Sequence, residues 1–248
     1  MNFEKKTKII YKKNTIRDKK IHITDFSEII KDIINKKNLT EICDIGGGAN
    51  PFLDQGFIKN LNYYLLDISK DELEKAPEDF NKIHQDAASK NFTYENKFDL
   101  VFSKFFLEHI KNPDILHSNM HKALKTNGYS VHLFPTLFNL PFIINMILPE
   151  KISQIILNII RGNPLKNKSG KFPAYYRWCF GPTSKQINRL ENIGFELIEY
   201  KSYFGHPEYY RRLFPLNFFY EMFTKLIFKF KIPYLTSYAI IIMRKKSI

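Results

Sequence analysis

The sequence predicts an α/β fold in which short strands and helices alternate around a nucleotide-type binding turn. The first strand of residues 40–135 runs into the turn Gly46-Gly47-Gly48, and the next strand ends in Asp67. Glycine allows positive φ angles and a close approach of the backbone to a ligand. A carboxylate at the end of the second strand can accept hydrogen bonds from both ribose hydroxyls. These features indicate a cofactor that contains a nucleoside.

The glycine turn departs from the fingerprint of dinucleotide-binding proteins. Its third glycine is missing, and Asn50-Pro51 takes that place near a helix start, where Asn suits the cap and Pro the first turn. A pyrophosphate packed on the helix is therefore not expected, which argues against NAD. An adenosine cofactor without phosphates is the remaining expectation.

The other elements of this half follow in a regular order. They are a helix over 25–37, further strands over 82–87, 98–103 and 128–134, and a helix over about 114–124. The segment Leu107-Glu108-His109-Ile110 follows the fourth strand. The turn Lys125-Thr126-Asn127-Gly128 precedes the fifth.

Taken together, these motifs resemble the class I S-adenosylmethionine-dependent methyltransferases. The resemblance is specific over residues 40–135, where five motifs occur in order, and looser at the end of the chain. It implies a Rossmann-like sheet that is mostly parallel, with an antiparallel last strand and a helical acceptor lid inserted after strand five. It also implies S-adenosyl-L-methionine as the cofactor, and no metal.

The resemblance assigns a role to each candidate cofactor residue. The cofactor-binding set is Asp44, Gly46, Gly48, Asp67, Ile68, Asp86, Ala87 and Ser103. Asp44 and the two glycines would surround the methionine moiety, and Asp67 would hold the ribose hydroxyls. Asp86 and Ala87 would contact the adenine edge, and Ser103 with Lys104 would line the floor near the sulfonium. The alternative for Asp67 and Asp86 is a cap on a solvated loop.

Length, cysteine content and charge limit the possible classes. The 248 residues suit one α/β domain with a lid, over 25–248, behind a basic N-terminal arm over 1–24. Two cysteines without a disulfide or zinc pattern suggest a reducing cytoplasm, and neither a secretory signal nor a membrane span is expected.

The net charge of +13 permits nucleic acid binding, but Ser103-Lys104-Phe105-Phe106 replaces the Pro-Pro-aromatic segment of enzymes that methylate base amines. A solvated basic surface is therefore favoured over a nucleic acid partner.

Two apolar segments follow Pro135. The first is the predicted lid over about 136–180, and the second is a helix over about 217–230 with an aromatic stripe. A helix over about 184–190, a strand over 196–200 and a last strand over 234–244 complete the fold. The apolar segments fit a lid packed over the acceptor, a surface that leans on a membrane or a lipid-linked acceptor, or a dimer contact.

The acceptor side of the site has six candidate residues. His109 and His206 are candidate general bases, and the candidate substrate residues are Tyr175, Arg177, Arg211 and Arg212. Arginine forks match phosphate or carboxylate groups, which suits an anionic acceptor; the alternatives are a structural histidine and surface arginines.

These residues complete the functional prediction. The segment over 171–178 is loosely similar to methyltransferases encoded with surface-polysaccharide genes. We expect a cytoplasmic O-methyltransferase, peripheral to the inner membrane face at most, that acts on a sugar or a phosphorus-containing group. The alternatives are an RNA methyltransferase, a methyltransferase of a lipid-linked substrate and a non-catalytic protein with this fold.

Overall fold

A single twisted sheet organises the parts of the chain that the computed structural model describes, which are residues 7–14, 20–137, 173–205 and 216–246. The strands are β1 (Lys8–Lys13), β2 (Glu41–Ile45), β3 (Asn62–Asp67), β4 (Asn81–His84), β5 (Phe98–Lys104), β6 (Leu124–Pro135), β7 (Phe195–Phe204) and β8 (Tyr238–Lys245). The helices are α1 (Ile21–Lys37), α2 (Gln55–Ile58), α3 (Lys70–Lys75), α4 (Pro113–Ala123), α5 (Ser184–Ile193) and α6 (Leu216–Lys229), with short 3-10 turns at Leu107–His109 and Pro233–Leu235.

The strand order is β1-β7-β8-β6-β5-β2-β3-β4. Strand β8 runs antiparallel between β6 and β7, and the other neighbouring pairs are parallel. This arrangement confirms the predicted Rossmann-like sheet, including its antiparallel last strand. Because parallel strands share one direction, their carboxyl ends meet at one border of the sheet, which we call the carboxyl edge.

Helices cover both faces of the sheet, so its central strands are apolar throughout. In β5, Phe102 faces α1 and contacts Phe26, whereas the neighbouring Ser103 points to the opposite face, which α4 covers. Helix α5 begins with Thr183, whose side chain accepts from the Gln186 amide, and ends at Gly194 in a left-handed conformation.

The N-terminal region contains a strand where the sequence predicted a basic arm. Strand β1 pairs in parallel with β7, and α1 begins at Ile21 rather than at residue 25. The lysine-rich composition conceals an edge strand, because its lysine side chains reach solvent or an acidic partner while Ile10 and Tyr11 are half-buried.

The structure describes the second of the two predicted apolar segments but little of the first. Most of the predicted lid, residues 138–172, lies outside the described residues, so the lid stays a prediction. The second segment forms α6, but it is Thr224 and Ile227 that are buried, and the aromatic stripe is exposed. Among the helices of the described ranges, none combines the length and the apolar character needed to cross a membrane.

A buried ionic cluster joins β1, α1 and β7. The Tyr203 hydroxyl and Lys12 Nζ both donate to Asp25 Oδ2, at 2.5 and 2.7 Å, and Lys201 Nζ lies 3.8 Å away. Burial alone would raise the pKa of Asp25, but the hydrogen bonds from Lys12 and Tyr203 outweigh it and lower the pKa.

Replacing Asp25 by alanine should destabilise the protein. We expect Asp25→Ala to lower the free energy of unfolding by about 3 kcal/mol, since it leaves buried donors without their acceptor. Asp32→Ala, which removes an exposed pair with Lys36 on the same helix, should cost less than about 0.5 kcal/mol. Urea unfolding at neutral pH measures both, and equal losses would contradict the account. The difference between the two losses should narrow as the pH falls from about 4, where the unfolded chain takes up a proton on Asp25, through the lowered pKa of Asp25 in the folded protein.

Candidate functional site

A cavity of about 530 Å³ opens at the carboxyl edge, between the ends of β2, β3, β4 and β5. Its lining residues are Gly46, Leu66, Asp67, Ile68, Gln85, Asp86, Ala87, Ala88, Phe105, Phe106, His109, Ile110, Lys111, Asn112, Pro173 and Tyr175. Seven of these are residues that the sequence predicted for the cofactor or the acceptor. The cavity is therefore the candidate site.

The glycine turn borders the cavity through Gly46, whereas Gly48 is not among the lining residues. Gly46 and Gly48 have positive φ angles of 72° and 48°. A Cβ atom on Gly46 would lie 2.5 Å from Phe106 Cδ2, and one on Gly48 would lie 3.4 Å from Asp67 Oδ2. The turn thus needs glycine for both its backbone conformation and its neighbours.

Asp44 anchors this turn from behind and does not line the cavity. Its Oδ2 accepts from the Tyr63 hydroxyl at 2.8 Å and from the Phe52 amide at 3.0 Å. Burial raises the pKa of Asp44 to about 6, and the two hydrogen bonds offset part of that rise. A Cβ on Gly47 would lie 3.0 Å from the same oxygen, so Gly47 has a packing role that the sequence did not indicate. Contact between Asp44 and a methionine moiety stays a prediction.

Asp67 and Asp86 both face the cavity from strand ends. Asp67 is half-buried; its Oδ1 accepts from the Ser69 amide at 2.9 Å, and its Oδ2 faces the glycine turn. Asp86 is exposed and accepts from the Ala88 amide at 2.8 Å. These local bonds orient the two carboxylates, and they use one oxygen of each.

Ser103 does not line the cavity, although the sequence placed it on the cavity floor. It is fully buried on the α4 face of the sheet, where Oγ lies 2.8 Å from His132 Nδ1, and Ser130 Oγ lies 2.7 Å from the other ring nitrogen. Burial lowers the pKa of His132 well below its usual value, so the ring is neutral and one nitrogen donates while the other accepts. The alternation of side chains along β5 turns Ser103 away from the site. Lys104, the other predicted floor residue, is also absent from the lining, and its Nζ lies over the Phe52 ring.

His109 reaches the cavity from the 3-10 turn after β5. Its Nδ1 lies 2.9 Å from the carbonyl oxygen of Pro173. Because a carbonyl only accepts, Nδ1 carries the hydrogen, and the neutral ring has its lone pair on Nε2. In this tautomer Nε2 is the ring nitrogen able to accept a proton, as a general base requires.

Glu108 is a residue of this region that the sequence did not single out. Its side chain is buried, Oε2 has no hydrogen-bond partner within the described ranges, and Oε1 lies 3.9 Å from His109 Nε2. Burial raises the pKa of Glu108 to about 8, so the carboxyl is protonated at neutral pH. Its backbone carbonyl accepts from the amides of Tyr175 and Tyr176, which fixes the returning segment beside His109.

The remaining acceptor candidates differ in whether they line the cavity. Tyr175 lines the cavity with 41% of its surface exposed. Arg177 does not line it; its Nη1 donates to the carbonyl of Lys111 at 3.0 Å, and Lys111 is itself a lining residue. Three candidates lie outside the described residues: His206, Arg211 and Arg212.

Comparison with known proteins agrees with this geometry. Residues 43–130 match the sequence model of a family described as a methyltransferase domain. No curated protein matches the chain. Phosphoethanolamine N-methyltransferase 2 of Haemonchus contortus, solved with S-adenosyl-L-methionine, has a TM-score of 0.52 and 17% identity over 88% of this chain and 53% of its own. This chain therefore spans about half the length of that protein.

Two further structures have a similar fold. An S-adenosylmethionine-dependent methyltransferase from Archaeoglobus fulgidus has a TM-score of 0.52 and 18% identity over 91% of this chain and 98% of its own. The fold is that of S-adenosylmethionine-dependent methyltransferases. The cyclase SpnF also has it, with a TM-score of 0.51 and 15% identity over 89% of this chain and 81% of that one. The reaction must therefore be argued from the cavity.

The buried carboxyl of Glu108 gives this methyltransferase-like fold a defined pH dependence. Between about pH 4.5 and 8 the folded protein keeps a proton on Glu108 that the unfolded chain releases, so the free energy of unfolding falls by on the order of 3–5 kcal/mol as the pH rises. Glu108→Gln should remove that decline. Urea unfolding over this pH range tests it, with the exposed Glu28→Gln as the control; parallel curves for wild type and Glu108→Gln would contradict a raised pKa.

Proposed function

We propose that this protein is an S-adenosyl-L-methionine-dependent methyltransferase that methylates an oxygen of a small polar acceptor. The observation that carries the proposal is the pairing of Asp67 with the glycine turn at the carboxyl edge, beside Asp86 and Ala87 in the loop after β4. That arrangement offers a carboxylate for vicinal hydroxyls and a second carboxylate for an exocyclic amine.

The residues present fit such a cofactor. Gly46 and Asp67 both line the cavity, Gly48 brings the turn against Asp67 Oδ2, and the half-buried Asp67 carboxylate would hold the ribose hydroxyls on the cavity side. Ile68, with 61% of its surface exposed, offers an apolar surface for the adenine ring, and Asp86 offers its carboxylate to the amine. Phe106 and His109 also line the cavity, and the part of the cavity beside them is left for an acceptor.

Removing the Asp67 carboxylate tests the cofactor assignment. Asp67→Ala should weaken binding of S-adenosylhomocysteine about a hundredfold or more, since hydrogen bonds to a charged group contribute about 1.5–3 kcal/mol each. Asp71→Ala, an exposed carboxylate four residues away, should leave the affinity unchanged. Titration calorimetry measures both, and full affinity in Asp67→Ala would remove the cofactor from this cavity.

His109 is the residue we propose as general base. Bound cofactor would supply an electrophilic methyl group, and the chain would align the acceptor and receive its proton. Nε2 of His109, whose tautomer is set by the Pro173 carbonyl, would accept the proton of the acceptor hydroxyl as the methyl group leaves the cofactor sulfur, which keeps the bonding electron pair, for the acceptor oxygen. The raised pKa of Glu108 keeps the carboxyl beside His109 uncharged at neutral pH.

The acceptor class that we favour is a sugar or a phosphorus-containing group of bacterial surface-glycan biosynthesis. Lys111 and Tyr175 in the lining support it, because a cation and a phenol suit an anionic, hydroxyl-rich group.

The second candidate is N-methylation of a phosphorylated amine, because the name of the similar Haemonchus contortus protein includes phosphoethanolamine. Phe105 and Phe106 favour that candidate, since aromatic rings bind ammonium groups.

His109→Ala should lower methyl transfer on the order of a hundredfold while S-adenosylhomocysteine affinity stays nearly constant. The assay uses cofactor with a labelled methyl group and a panel of neutral sugars, phosphosugars, phosphorylated amines and RNA. His121→Gln, on α4 near Gly194, is the control. Transfer to RNA that weakens steeply with salt would favour the RNA alternative, and no transfer to any acceptor would favour a non-catalytic protein. An unchanged rate in His109→Ala would make the histidine structural.

A further inference from the structure

Helix α6 carries a broad apolar face that the described parts of the protein leave exposed. Between 46 and 64% of each side chain in this face is in solvent, and its members are Phe218, Phe219, Met222, Phe223, Leu226 and Phe230. Their spacing places them on an arc of about 140° of the helix surface. We call this set the α6 face.

The opposite side of α6 holds the helix on the sheet. Ile227 and Thr224 are buried, and the rings of Phe228 and Phe204 lie 5.7 Å apart between their centroids. Thr224 also packs close to Gly205, directly after β7, where a Cβ would lie 3.0 Å from Thr224 Cγ2. This packing fixes the rotation of α6 about its own axis, so the α6 face stays exposed.

Lysines accompany the α6 face. Lys225 and Lys229 lie along one side of it, Lys231 follows the helix, and all three are exposed. Glu221 is the acidic residue of the helix, and the chain as a whole carries a net charge of +13. Apolar and aromatic side chains beside cationic ones match the two layers of a bilayer surface, acyl chains below and phosphate groups above.

We propose that the α6 face binds the surface of an anionic phospholipid bilayer. The six apolar side chains enter the boundary between headgroups and acyl chains, and Lys225, Lys229 and Lys231 contact lipid phosphates. A second copy of this chain is a poorer partner, because a symmetric contact through the α6 face brings the same lysines together.

The placement of α6 gives this contact a consequence for the cavity. Gly205 and Tyr238 lie at the carboxyl edge of β7 and at the start of β8, so α6 packs near the edge of the sheet that contains the cavity. On the proposed function, the bilayer contact brings that edge close to an acceptor carried by a lipid. The binding proposal itself does not require catalysis.

Vesicle sedimentation with the full chain tests the proposal. The probes are unilamellar vesicles of phosphatidylcholine alone and of phosphatidylcholine with phosphatidylglycerol. Wild type should bind the anionic vesicles and lose affinity as salt rises. Phe219→Ser with Phe223→Ser should weaken partitioning at least about tenfold for each side chain. Ile9→Ser, at an exposed apolar position on β1, is the matched control and should bind like wild type.

Charge variants distinguish contact by the lysines beside the α6 face from attraction by the overall positive charge of the protein. Lys225→Glu with Lys229→Glu should weaken binding to anionic vesicles about tenfold or more and abolish the preference over phosphatidylcholine. Lys37→Glu, at the opposite edge of the sheet, should have little effect. S-adenosylhomocysteine affinity, unchanged in every variant, reports folding independently of the vesicles. Equal binding by wild type and the Phe219/Phe223 variant, or a dimer of wild type that this variant dissolves without any vesicle binding, would overturn the proposal.

Discussion

The hydrogen bonds to the buried carboxyl of Asp44 fix the geometry on which the candidate site depends. One oxygen joins Tyr63 on β3 to the Phe52 amide beyond the glycine turn. The Gly46 amide donates to the Leu66 carbonyl at 2.8 Å, so the turn lies against the end of β3. Asp67 thereby lies against Gly48 and lines the cavity, and its carboxylate is the group that the proposed function assigns to the ribose. The raised pKa of Asp44 reflects the cost of holding this charge without water.

Much of the sheet and part of the site could be predicted from local patterns. Apolar strands, the glycine turn and Asp67 carry their signals within a few residues, and the structure places Asp67 and Asp86 in the cavity. Ser103 was misplaced because the alternation of side chains along β5 turns it to the α4 face of the sheet, where His132 of β6 is its partner. Strand β1 was missed because its lysines obscured a β pattern whose partner, β7, lies about 190 residues away.

Glu108 and the α6 face illustrate a second limit of the sequence. The raised pKa of Glu108 arises from burial in the folded protein, which no neighbour in sequence indicates. The aromatic stripe of α6 looks like a core face, yet the helix packs through Thr224 and Ile227 instead. Periodicity identifies an amphipathic helix, but only packing decides which side meets the sheet. The helix packs beside Gly205 at the end of β7, at the same edge of the sheet as the cavity.

The shared fold of methyltransferases and a cyclase means that the cofactor position is the central claim to test. A crystal structure of the protein with S-adenosylhomocysteine tests it most directly. We expect ribose hydroxyls within hydrogen-bond distance of the Asp67 carboxylate, adenine beside Ile68 and Ala87, and the sulfur toward Phe106 and His109. Ligand bound elsewhere, for example in the cavity lined by Tyr63 and Phe80 behind β3, would contradict it.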